Sequence, residues 1–235
     1  MLFDLISGDK NALVSILLSL PVILFSLSFH EAAHGYVAYK LGDRTAKNLG
    51  RVTLNPLKHL DPIGAISMLI FGYGWAKPVP INTRNFDNPR KGMAITGIAG
   101  PISNLILGVI SCIIYVALDL LYVKAVLAGS ASNVITTINI LAMLFYISAI
   151  LNFGLMTFNL IPVPPFDGSR FFYIFLPSKW YFKVMKYEQT IMIVILIAFL
   201  ALSRAGYSPI SFVANKLFHL ISEPLFKLGI KLFFY

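Results

Sequence analysis

The chain has a single cysteine, Cys112, and it lies inside an apolar run. One thiol excludes a disulfide framework and any CxxC-type metal site. Charge is also scarce: Asp, Glu, Lys and Arg make up 12% of the 235 residues, with 10 acids against 19 bases. Soluble domains carry roughly twice that share of charge. With 57% apolar residues and a mean hydropathy of +0.78, an ordinary soluble globule is excluded. There is no internal repeat, low-complexity tract or Ser/Gly-rich linker, so the chain reads as one compact unit.

Long apolar stretches fill the space that charge leaves. A helix needs about 20 mostly apolar residues to cross a bilayer, and four stretches approach that: Asn11 to Phe29, Gly92 to Leu118, about Val134 to Leu160, and Gln189 to Ser203. The expected architecture is an all-α polytopic membrane protein with about four spans. The charge-poor start and uncharged length of the first stretch suit a retained span better than a signal peptide. Pro62 to Ala76 is uncharged too, but it is short and broken by Pro62, Gly64, Gly72 and Gly74, so it reads as a re-entrant or interfacial piece.

Nine of the nineteen Lys and Arg lie between Lys40 and Lys91, and four more between Arg170 and Lys186. The positive-inside rule makes these connections cytoplasmic. A basic rim against anionic headgroups then accounts for the net charge of +9, and no motif calls for nucleic acid. Within the long basic connection, Val52, Thr53 and Leu54, then Val79 and Ile81, are short β-prone runs punctuated by Gly, Pro and Asn. They predict a small membrane-associated β element. From Ile210 to Tyr235, Lys216, His219, Glu223, Lys227 and Lys231 fall on one helical face, which predicts an amphipathic interfacial helix. The expected division is therefore 1–206 for the membrane unit and 207–235 for that helix.

The segment "SFHEAAHGYV" ends the first apolar stretch and holds two of the four histidines, His30 and His34, with Glu31 beside them. Ionisable groups at bilayer depth cost roughly 2.5–3.5 kcal/mol each on insertion scales, so these three need a job or a partner. Residues four apart share a helix face, and two imidazoles so placed can hold one zinc ion. This is the H-E-x-x-H arrangement of zinc hydrolases, in which the metal acidifies a bound water and the glutamate takes its proton. At 1.5 Å per residue, His34 lies about 9 Å and His30 about 15 Å before Lys40, below the cytoplasmic surface.

A catalytic zinc takes three protein ligands and keeps one position open. His59, His219 and several carboxylates compete for the third place. Topology favours Asp167, because the span ending near Leu160 delivers "NLIPVPPFDGSR" to the side where the HEAAH end emerges, and Asp167 is the only acid between Asp119 and Glu188. Taken alone, Asp167-Gly168 would be an ordinary turn capping the next helix. His59 and His219 read as solvated, Asn104 as an interhelical bond, and the small residues Ala94, Gly97, Ala99 and Gly100 as helix-packing scaffold.

HEAAH in the first span, "GIAGPISN" in the second and "NLIPVPPFDG" in the third together resemble the site-2 protease family of intramembrane metalloproteases. "NPLKHLDPIG" and "KPVPINTRNFDNPRKGM" are similar to its short bacterial and archaeal members, and the likeness covers about residues 15 to 175. It implies zinc held by His30, His34 and Asp167, Glu31 as catalytic base, and Asn159 near the substrate peptide. It also implies a transmembrane protein or peptide as substrate, a bacterial or archaeal cell membrane, and an active site toward the cytoplasm. Neither the PDZ nor the CBS domain of longer members is expected. Phe166 stands where many members carry Leu, an exchange expected to be harmless. The competing reading is a membrane metal transporter using the same residues, but the outer halves of the spans are nearly free of ionisable groups, which disfavours a polar path to both faces.

Overall fold

The computed structural model describes residues 10–64, 76–175, 177, 180, 183–184 and 186–233. Their regular structure is helical, with no strand among them. The helices are α1 (Lys10–Lys40), α2 (Thr45–Asn48), α3 (Pro89–Leu127), α4 (Ser132–Asn159), α5 (Asp167–Phe172), α6 (Glu188–Arg204) and α7 (Pro209–Phe233), with short 3-10 turns at Pro56–Lys58, Thr83–Asn85 and Tyr173–Phe175. Three of them are long and apolar enough to cross a membrane: α1 from Ile16, α3 and α4. The fourth expected span falls on α6, which has 17 residues. At 1.5 Å per residue that is roughly 26 Å, short of a hydrocarbon core of about 30 Å.

α3 shows how these helices pack. Asn88 starts it by accepting a hydrogen bond from the Lys91 N–H at 3.0 Å, with Pro89 in the first position, where its missing N–H costs nothing. Its small residues Gly97, Gly100, Ser103, Gly108 and Ser111 are buried, while Ile102, Ile106, Ile110 and Ile113 are 46–49% exposed. Small residues inside and large ones outside is the arrangement of a helix that packs closely on its neighbours and turns its aliphatic face to lipid. A Cβ on Gly108 would stand 2.6 Å from the Phe153 ring of α4. The two helices could not keep that spacing around an alanine.

α7 is amphipathic as expected, and its apolar stripe is spent on two spans. Ala214 and Phe218 join Cys112, Ala149 and Phe153 in one buried cluster. Ile210 lies by Gly154 of α4, and Gly229 lets Leu120 of α3 come close. Lys216, His219, Glu223, Lys227 and Lys231 are exposed on the opposite face. α7 therefore runs along α3 and α4.

The long basic connection is tied down mainly by side chains. Of the small expected sheet, the described residues hold one antiparallel bridge, Leu60 to Ala76, with the Lys77 N–H donating to the His59 carbonyl at 2.8 Å. The re-entrant piece expected between Pro62 and Ala76 falls largely on residues outside the described ones. Pro78 and Pro80 each lack an N–H, which breaks a ladder at alternate positions. Arg51 instead donates to the carbonyls of Lys77 (2.7 Å) and Pro78 (3.3 Å).

Asp43 is the other anchor. α1 turns at Gly42, whose φ of +107° suits glycine, and this places Asp43 in a fully buried position. Its carboxylate accepts from the Thr45 hydroxyl and N–H, from the Asn82 N–H at 2.7 Å and from Asn85 Nδ2 at 2.7 Å. Burial works against the charge, but the Thr45 hydroxyl, the Asn82 N–H and the Asn85 amide outweigh it and hold the carboxyl below the usual carboxylate range.

Because that pKa is depressed in the fold, the stabilisation should be complete above the unfolded value of about 3.9 and be lost as pH falls through the lower folded value. Asp43→Ala strands several buried donors and should cost about 2–4 kcal/mol. A lower Tm in detergent at pH 7, with the difference from wild type shrinking toward pH 3, is the expected result.

Candidate metal centre

HEAAH lies in the C-terminal third of α1, where helical spacing puts His30 and His34 one turn apart on the face toward α3 and α5. Their rings meet edge to face, 83° between planes and 4.7 Å between centroids. Both are buried, at 5% and 4% exposure. Asp167 is the first residue of α5, brought in by the proline-rich turn after α4. In that turn Phe166 is buried and packs edge-on against Phe158 of α4 at 4.5 Å. The Phe in place of Leu is thus a wedge between α4 and α5.

His30 Nε2, His34 Nε2 and Asp167 Oδ2 converge. The distances are 3.0 Å between the two nitrogens, 3.0 Å from His30 to the carboxylate and 3.1 Å from His34 to it. Among the described residues this is the group of three or more His, Cys, Asp or Glu placed to hold a metal ion. The outer nitrogens face acceptors: His34 Nδ1 donates to the Thr96 carbonyl at 2.7 Å, and His30 Nδ1 lies 2.8 Å from Asn104 Oδ1. A carbonyl can only accept, so neutral His34 carries its proton on Nδ1 and turns a bare lone pair inward. Donor atoms sharing a tetrahedral zinc at 2.0–2.1 Å stand roughly 3.3 Å apart. The set fits zinc in chemistry and in spacing.

Two glycines of α3 make this approach feasible. A Cβ on Gly100 would lie 2.4 Å from His34 Nε2 and 2.5 Å from His30 Nε2. A Cβ on Gly97 would lie 2.9 Å from Arg170 Cβ and 3.1 Å from the Asp167 carbonyl. "GIAGPISN" thus seats both rings and the turn that carries Asp167. Gly168 has the same role against α4, since its Cβ would meet the Leu160 carbonyl oxygen at 2.4 Å.

The other expected residues lie elsewhere. Glu31 Oε2 accepts a hydrogen bond from the Val79 N–H at 2.8 Å, so the carboxylate is held by the basic connection beside the cluster. Asn159 ends α4 and donates to the Leu155 carbonyl at 3.0 Å. His219 is exposed and stands 3.9 Å from Glu223. His59, expected to be solvated, is 2% exposed, with Nε2 at 2.8 Å from the Thr53 carbonyl. Its carbonyl accepts from the Lys77 N–H, which ties it to the far end of the basic connection. Asn152, unremarked in the sequence, is fully buried beside Asn104. The available signal was a second amide in a span, where an unpaired one is costly.

Residues 18–202 match peptidase family M50. The chain belongs to that family. The resemblance to site-2 proteases is thereby borne out. The chain is 43% identical over 177 residues to the Bacillus subtilis protein named "Putative zinc metalloprotease YwhC", covering 75% of this chain and 77% of that one. It is 30% identical over 168 residues to "Zinc metalloprotease MJ0392" of Methanocaldococcus jannaschii, covering 70% of this chain but 37% of the relative. The chain thus spans little more than a third of the archaeal protein. No solved structure matches it.

Gly100→Ala should push the two rings apart and weaken zinc binding at least tenfold, read by competition with a chelating dye on protein that keeps its helical circular dichroism. Gly154→Ala, whose Cβ would meet nothing nearer than 3.7 Å, should bind zinc as wild type does.

Proposed function

We propose that this chain is an intramembrane zinc metalloprotease that hydrolyses peptide bonds in or near transmembrane segments of other proteins. The observation that carries this reading is the convergence of His30 Nε2, His34 Nε2 and Asp167 Oδ2 at 3.0–3.1 Å among apolar helices. Membership of a peptidase family turns that metal-ready cluster toward hydrolysis. Zinc, when bound, supplies a Lewis acid that polarises a carbonyl and lets water ionise near neutral pH.

The chain's own residues divide the remaining work. His30, His34 and Asp167 would hold the metal. Glu31 takes the proton of the attacking water and returns it to the leaving amine. The Val79 N–H keeps that carboxylate aimed. Asn159 offers its amide to the substrate main chain at the end of α4. A transmembrane helix hides its carbonyls in internal hydrogen bonds, so the scissile segment unwinds before attack. Helix-breaking residues in the substrate therefore favour cleavage.

The excess of Lys and Arg between Lys40 and Lys91 supports a cluster that lies toward the cytoplasmic face of a cell membrane. In this reading α6 is a fourth crossing in a locally thinned bilayer, and any further pairing of the Val52 and Val79 runs completes the β element. Residues 1–206 carry the catalytic parts. Within 207–235, α7 buttresses them through α3 and α4, where its buried stripe packs.

Cleavage of a panel of single-span substrates by purified protein, with zinc content measured alongside, tests the reading. Glu31→Gln should retain zinc and lose at least 10³-fold in activity, the upper part of what a general base contributes. Zinc bound by wild type with no cleavage across the panel would move the cluster to metal transport. Undiminished cleavage by Glu31→Gln would remove Glu31 from the mechanism.

A further inference from the structure

Behind His30, on the side away from Asp167, lies a line of buried polar groups that no part of the proposed chemistry uses. Asn152 Nδ2 is 2.8 Å from the Ser148 carbonyl and 2.9 Å from Ser26 Oγ. Asn152 Oδ1 is 3.2 Å from Asn104 Nδ2, and Asn104 Oδ1 is 2.8 Å from His30 Nδ1. Asn104, Asn152 and Ser26 have no exposed surface. The line crosses α4, α3 and α1 in turn.

The direction of every bond follows from one end. The Ser148 carbonyl can only accept, so Asn152 presents its NH₂ there and its oxygen to Asn104. Asn104 must then present its NH₂ to Asn152 and its oxygen to His30. That oxygen accepts the proton of His30 Nδ1, and the ring's remaining nitrogen, Nε2, faces the cluster with its lone pair free. Reversing Asn152 would set NH₂ against NH₂ and its oxygen against the Ser148 carbonyl, and reversing Asn104 would set its oxygen against the Asn152 oxygen, in a place where water cannot relieve the clash.

We propose that Asn104 and Asn152 are positioning residues for the metal, fixing the tautomer and rotation of His30 from a carbonyl of α4. This rests on the metal-centre reading above. Neither residue touches the cluster atoms, and both act through the ring. The two ligands differ in this respect: His34 is oriented by the Thr96 main-chain carbonyl, which no side-chain substitution removes, while His30 depends on two side chains. Outer partners of ligating histidines typically matter by 10- to 100-fold in metal affinity.

The test is zinc affinity of the full chain in detergent, by competition with a chelating dye, together with the visible spectrum of the Co²⁺-loaded protein. Asn104→Leu should weaken zinc binding by roughly 10- to 100-fold. Asn104→Asp keeps an acceptor against His30 Nδ1 and should stay within about threefold of wild type, with an unchanged Co²⁺ spectrum. Asn152→Leu leaves Asn104 free to turn over and should fall between them, with an altered spectrum. It carries the test if Asn104→Leu does not fold. A role confined to helix packing predicts lower thermal stability with zinc affinity unmoved, and that result would overturn the proposal. So would Asn104→Asp binding as weakly as Asn104→Leu, or Asn152→Leu binding like wild type. Wild-type protein that takes up no zinc would sink the metal centre itself, whereas equal zinc binding by all variants would sink this proposal alone.

Discussion

Three electron-rich atoms stand within about 3 Å of one another in a bundle whose other contacts are mostly aliphatic. Bare lone pairs at that distance repel unless a cation lies between them, and the surroundings offer little water to screen them. Much of the remaining architecture answers this constraint. α1 carries two of the atoms because helical spacing aligns residues four apart. α3 gives up its side chains at Gly97 and Gly100 so that the rings and the Asp167 turn can come in. The turn after α4 hooks Asp167 inward, with Phe166 wedged behind it against Phe158.

The second theme is how an irregular segment can be held rigidly at a membrane surface. Pro78 and Pro80 deny the connection a regular ladder, yet a backbone polar group left unpaired near hydrocarbon is costly. Side chains from two directions make up the difference. Arg51 covers the carbonyls of Lys77 and Pro78, Glu31 covers the Val79 N–H, and Asp43 covers the Asn82 N–H. The connection follows α1 because Glu31 and Asp43 both reach it from that helix or from the turn at its end.

Legibility in the sequence followed the range of each interaction. HEAAH was readable because its geometry is local to one helix, and Asp167 because topology and the family likeness restricted the choice. Gly97 and Gly100 read only as generic packing residues, since which neighbour a missing Cβ admits is a tertiary fact. Asn152 drew no notice for the same reason: an amide in an apolar run announces a need for a partner but not its identity. His59 read as solvated because its bond from Lys77 is made across a long stretch of sequence. The β-prone runs show little pairing for another reason, since propensity weighs side chains, while Arg51 and Asp43 make bonds a neighbouring strand would otherwise make. The stretch at Gln189 to Ser203 looked span-like by composition, and α6 is shorter than a crossing of ordinary thickness requires.

The hydrogen bond from Val79 to Glu31 joins two parts that an active site usually keeps separate. The donor is main chain, so any displacement of the connection moves the carboxylate in the same stroke. The basic connection and the Glu31 carboxylate, the base of the proposed reaction, are then one mechanical piece. On the proposed reading, the position of the base is then set by the same main chain that the basic connection presents beside it.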